Sequence, residues 1–153
     1  MTADRSAPHP VAASRRLQDW QSRLGALVNS RLAAPFAWGT HDCCLWAADA
    51  VLATTGRDLA GDLRGTYRTA GQAAEVLHRH GGVVGLAVAR LGPVVPAALA
   101  QPGDVGLITV DHRHTLAVCG GAHFLAAGSA GLVSIPAAQV IRAWRCTREV
   151  PRG

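Results

Sequence analysis

The sequence predicts an α+β fold in which N-terminal helices pack on a C-terminal antiparallel β-sheet. Up to about Leu91, apolar residues recur at spacings of three and four, the helical period. From Pro102 onward the pattern changes to short β-branched or alternating runs separated by Gly-, Asp- and His-containing turns. Helices first and strands afterwards segregate the two kinds of element, which is the signature of this class.

At 153 residues the chain is long enough for one hydrophobic core without covalent staples. Residues 1–13 carry Pro8 and Pro10 in a polar, aperiodic context and read as a flexible lead, leaving 14–153 as a single domain. The composition is 49% hydrophobic with 17 glycines and only 5% aromatics, which suits closely packed small helices and excludes a disordered chain. A net charge of +5 favours an anionic partner. The arginines are scattered rather than interleaved with aromatics, so nucleic-acid binding is not expected.

Ser14 is the predicted cap of a first helix with an apolar stripe of Leu17, Trp20, Leu24, Leu27 and Val28, ending near Leu32 ahead of Pro35. Trp20 is assigned to packing. The second helix is predicted from the Asp42 cap to Thr55, closed by Gly56. The stretch 56–69 reads as a loop anchored by Tyr67, the only tyrosine. Helices follow over Ala70 to His80 and Val83 to Leu91, stopped by Gly81-Gly82 and Gly92-Pro93. The strands of an antiparallel meander are expected over Val105 to Val110, Thr115 to Cys119, His123 to Ala127 and Leu132 to Ile135. A helical turn within Pro136 to Val140 and a last strand from Ile141 to Thr147 complete the chain.

The stretch PFAWGTHDCCLWAADAV, Pro35 to Val51, holds the chemistry. With Asp42 as cap, Cys43 and Cys44 are the first two helical residues and point about 100° apart, so one of them faces a cleft and the other the core. A thiol at a helix start meets unpaired N–H groups and the positive end of the dipole, which favour the nucleophilic thiolate. Cys43 is the candidate nucleophile. Its proton needs an acceptor, and histidine is the usual one. His112 belongs to the turn before the second strand, whereas His114 heads that strand with its ring held by a sheet, so His114 is the better placed of the two; on the residues alone the alternative is a solvated histidine of a polar turn.

Cys43, Cys44, Cys119 and Cys146 contain no C-x-x-C pair, so reduced thiols are expected rather than a disulfide framework. No metal site and no cofactor are expected from these residues with His41 and His114, because the paired ligand spacing of structural zinc is missing. No apolar run approaches the roughly 20 residues of a membrane span, and 1–13 do not resemble a secretory signal.

The strings PFAWG, the DC at a helix start, PGDVGLI and HTLAVCGGAHFLAA, in that order, resemble the NlpC-type cell-wall peptidases of the papain-like superfamily. They cover about Pro35 to Val51 and Pro102 to Ala127. The chain as a whole is similar to short, phage-encoded relatives with an Asp-Cys-Cys variant. This resemblance implies a papain-like NlpC-type fold, Cys43 as nucleophile and His114 as base. It further implies a peptidoglycan stem peptide as substrate, other phage tail-tip proteins as partners and residence in the virion tail, which would deliver a protein made in the host cytoplasm to the host envelope. The family pattern is departed from at Cys44-Leu45, which replace Ser-Gly, and near Ala126, where the family has a polar residue that orients the histidine; Thr109 or a water is the candidate substitute. The rival expectation is a catalytically degenerate structural or assembly component of a tail tip.

Overall fold

The computed structural model describes residues 15–147, so the lead of 1–13 and the Ser14 cap lie outside the described residues. Four α-helices precede a six-stranded antiparallel sheet, which makes the class α+β, with the helices contacting one face of the sheet.

Helix α2, Cys43–Thr55, is the centre of the molecule. Asp42 caps its start through a 3.0 Å bond from the Leu45 N–H, and left-handed Gly56 closes it by donating to the Leu52 carbonyl, both as the sequence indicates. Leu45, Trp46, Ala50 and Val51 are fully enclosed on different sides of the helix. A helix apolar on all sides must be covered on all sides, and α1, the sheet and the segment following α2 do so.

Helix α1, Trp20–Arg31, begins several residues after the position expected from Ser14. Tertiary contacts hold the preceding residues out of the helix: the Leu17 N–H donates to the Thr54 carbonyl at the end of α2. Arg16 stacks 3.8 Å over the Trp20 ring while donating to the Thr147 hydroxyl and the Pro102 carbonyl. The apolar stripe itself packs inward, with Leu24 buried and Trp20, Leu27 and Val28 against it. Helices α3, Ala70–Arg79, and α4, Gly82–Arg90, match the predicted pair to within a residue.

The sheet runs in the order β1-β6-β2-β3-β4-β5, with β1 Val94–Val95, β2 Val105–Val110, β3 Arg113–Cys119, β4 His123–Gly128, β5 Gly131–Pro136 and β6 Arg142–Trp144. Strand β1 is too short to leave a periodic signal and was not expected. Strand β3 starts two residues before the expected Thr115, because the connection from β2 is a two-residue turn with Asp111 and His112 both at positive φ (48° and 64°). Strand β6 is shorter than the expected Ile141 to Thr147, since the Cys146 N–H turns to the buried Asp104 carboxylate and the Arg145 N–H to the Pro93 carbonyl.

One face of the sheet, through Val105, Leu107 and Leu116, packs against α2 and α4. The other, through Ile108, Ala117 and Phe124, is covered by the 3-10 turns Ala97–Leu99 and Ala137–Gln139 with Val95, Ala100 and Val140. The feature that creates the site is a parting of strands. Strand β3 pairs with β4 only at Val118↔Leu125 and Cys119↔Phe124, while β4 stays paired with β5 along its whole length. Where they separate, the Trp46 indole N–H donates to the Leu125 carbonyl at 2.9 Å. The half of β3 that carries His114 is therefore bonded to β2 alone.

Candidate active site

The cap of α2 is built before the cysteine that follows it. Asp42 is buried; one carboxylate oxygen takes the Leu45 N–H, and the other takes the Gly39 N–H at 2.9 Å and the Tyr67 hydroxyl at 2.6 Å. Gly39, at φ 81°, is required there, because a Cβ would collide with the Tyr67 carbonyl. Gly39 of the approach and the lone tyrosine are thus parts of one device that fixes where α2 begins. Burial, then the hydrogen bond and charge of Asp42, raise the Tyr67 hydroxyl far above its ordinary pKa and keep it a donor.

On this base Cys43 is half-buried and turned toward a cleft, and Cys44 is buried in the main core. Their sulfurs lie 3.9 Å apart. The Cys44 thiol donates to the Cys43 sulfur, which is the largest influence lowering the Cys43 pKa; burial opposes it, the Leu116 N–H assists, the Asp42 charge opposes, and the Cys44 N–H assists. Cys44 moves the other way, well above the usual thiol range, first through that same bond and then through burial. The pair divides the proton unequally and leaves Cys43 as the thiolate-prone member. The direction is the expected one, and its largest cause is the neighbouring thiol. The Asp-Cys-Cys adjacency was the only sequence signal for this, and it does not say which sulfur faces out.

The cleft has a volume of about 890 Å³ and is lined by both Cys43 and His114. Its walls are Phe36 and Trp38 from the approach loop, small residues of α3, Val110 at the end of β2, and Thr115, Ala126 and Ala127 from the parted strands β3 and β4. His114 is exposed and lies opposite Thr109 in the β2–β3 register, and no hydrogen bond to its side chain is found among the described residues. Thr109 is likewise exposed, does not line the cleft and makes no side-chain bond to His114. Alternation along β4 puts Ala126 with Phe124 on the face away from α2 and Ala127 on the face shared with Leu125. Ala127, rather than Ala126, therefore stands on the side of β4 that matches His114 on β3. His112 sits in the turn, exposed.

The remaining conspicuous residues have structural duties. Buried Asp104, of the Gly-Asp before β2, ties the Gln101 N–H, the Cys146 N–H and the Arg145 guanidinium together. His41 is buried against Trp46 with Nδ1 3.0 Å from the Arg31 guanidinium. Asp49 of α2, which periodicity did not single out, is paired with Arg31 at 3.1 Å and Arg64 at 2.7 Å. Cys119 and Cys146 are buried, and burial raises both thiols. No helix among the described residues is long and apolar enough to cross a membrane.

No curated protein matches the chain. A family model described as "Domain of unknown function (DUF6950)" matches residues 15–146, the segment that carries every helix and strand described above. The Asp42-capped cysteine helix, the parted sheet and the cleft between them thus lie within a single family domain, and the chain belongs to the DUF6950 family.

Proposed function

We propose that the protein is an NlpC-like cysteine hydrolase of papain-like fold that cleaves an amide bond in a peptide such as the peptidoglycan stem, acting from a phage tail tip. The observation that carries this reading is that Cys43, with its pKa lowered at the start of α2, lines the same cleft as His114. The Cys43 thiolate attacks the carbonyl carbon while the Cys43 N–H, the first of α2 and without an intrahelical acceptor, faces the developing oxyanion. The C–N bond breaks as imidazolium His114 passes its proton to the leaving amine. Water, giving a proton back to His114, then hydrolyses the Cys43 thioester and frees the acid. The tail-tip assignment rests on the likeness to short phage-encoded relatives. Purified protein incubated with muropeptides is expected to release stem fragments, and Cys43→Ala is expected to abolish the release; a wild type that cleaves nothing, or an unaffected variant, overturns the reading.

One observation favours a second reading, a catalytically silent tail-tip component. His114 has no orienting partner among the described residues, and the β4 position on its side is Ala127. Loss of the orienting group of a triad costs orders of magnitude in rate. Virions that contain the protein while the purified chain lacks muropeptide activity would support this alternative; its absence from virions by mass spectrometry would remove it.

A further inference from the structure

The charge distribution in the cleft is one-sided. Among its lining residues Arg113 is the only permanently charged side chain, and there is no Asp or Glu. Several other arginines are committed to carboxylates: Arg31 and Arg64 to Asp49, Arg90 to Asp62, Arg145 to Asp104, Arg23 to Asp19. Arg113 is exposed and has no ion pair among the described residues. It is the first residue of β3, paired with Val110 immediately after the tight Asp111-His112 turn, so its backbone is held by a hairpin. It neighbours His114 in sequence but leaves the strand on the opposite face, the face of Thr115 and Ala126, and the parting of β3 from β4 opens both faces into one cleft. The facing wall of α3 offers Ala70, Gly71, Ala73 and Ala74, small side chains that let a peptide backbone come close.

We infer that Arg113 is the specificity-determining residue of this cleft, recognising a carboxylate on a peptide that lies across the exposed half of β3 toward Cys43. A guanidinium presents paired donors that match a carboxylate's two oxygens, and in a cleft otherwise lined by apolar groups that match decides which peptide stays. The inference deepens the proposed hydrolase function and rests on it for the cleft being a peptide site.

The test measures binding rather than turnover. Calorimetric titration of the full chain carrying Cys43→Ala with the peptides Ala-Glu-Ala-NH2 and Ala-Gln-Ala-NH2, at pH 8 and about 0.15 M salt to screen distant charges, is expected to show the Glu peptide bound about tenfold tighter. Adding Arg113→Gln is expected to erase the preference and Arg113→Lys to keep part of it, while Arg142→Gln, an exposed arginine outside the cleft, leaves it intact. Equal binding of the two peptides, binding of neither, or a preference that survives Arg113→Gln or disappears with Arg142→Gln overturns the inference. A preference that behaves as expected in a protein whose wild type cleaves nothing would sink the hydrolase reading alone; cleavage by the wild type with no Glu preference would sink this inference alone.

Discussion

The Cys44 thiol lies 3.9 Å from the Cys43 sulfur and donates to it, so that two neighbouring cysteines at one helix start have opposite acidities. Cys43 is therefore expected to be alkylated by iodoacetamide at a lower pH than an ordinary thiol, and Cys44 to remain unreacted in the native state. Cys44→Ala removes the donor and leaves burial and the Asp42 charge unopposed by it, so alkylation of Cys43 at pH 7 should slow several-fold. Cys44→Ser, which keeps a donor, should recover much of the rate. Peptide mass spectrometry after timed alkylation reads both sites separately; a rate at Cys43 indifferent to Cys44 would show that the neighbouring thiol does not set its acidity.

Tyr67→Phe deletes the 2.6 Å bond to Asp42 and leaves one oxygen of a buried carboxylate with the Gly39 N–H alone. A hydrogen bond to a buried charge contributes about 2 kcal/mol net, and that loss should appear as a lower urea midpoint with an unchanged m-value. Tyr67 also adds an alkaline dependence. Its folded pKa is raised above that of the unfolded chain, so its contribution is fully present below about pH 10 and declines as the pH rises past that value. The variant should lose this part of the decline.

His41 gives a dependence of the other sign. Guanidinium donates only, so Nδ1 beside Arg31 must be the acceptor and the buried ring is neutral. Burial first, and the Arg31 charge second, hold its pKa below the ordinary 6.5. The unfolded chain then binds the proton at the higher pH, so the stability that His41 confers is fully present above about pH 6.5 and is lost progressively as the pH falls from there through the lower folded pKa. Urea midpoints measured from pH 8 to 5 should fall at the acid end, and His41→Gln should flatten that fall. An unchanged slope in the variant would mean the ring is already charged in the fold.

Asp49→Asn removes the charge shared by Arg31 and Arg64 and leaves two partly enclosed guanidinium groups without their buried partner. The arginine side chains are 27% and 30% exposed and partly screened, so the expected cost is about 2–3 kcal/mol, at the low end for breaking a buried pair. Arg31→Ala with Asp49→Asn should cost less than the sum of the single changes, which a double-mutant cycle measures directly.

The parts of this molecule legible in its sequence are those set by neighbours along the chain. Asp42 and Gly56 bound α2 because a cap needs only a side-chain oxygen three residues before a free N–H and a residue at ease with positive φ. Val105 to Val110 read as a strand and form one over the same residues, whereas Cys43 and His114 were marked out by their local positions and given their roles by the family resemblance. Other features left no such trace. The two-residue β1 has no period, α1 starts late because Leu17 is bonded to Thr54, and Asp49 sits in a helix whose periodicity gives no reason for a carboxylate; its partners come from α1 and from the segment after α2.

From the sequence alone come the class, helices followed by an antiparallel sheet, and the chemical identities of a sulfur at a helix start and an imidazole at a strand start. The fold alone decides that Cys43 faces the cleft while Cys44 turns inward and lends it a proton bond, that β3 parts from β4 beside Trp46 so that Cys43 and His114 line one cavity, and that Arg113 is left there without a partner among the described residues. The physical reason is range. Capping and periodicity act over three or four residues and are written in order along the chain, whereas a cleft is made by surfaces that meet only when segments about 70 residues apart are packed together.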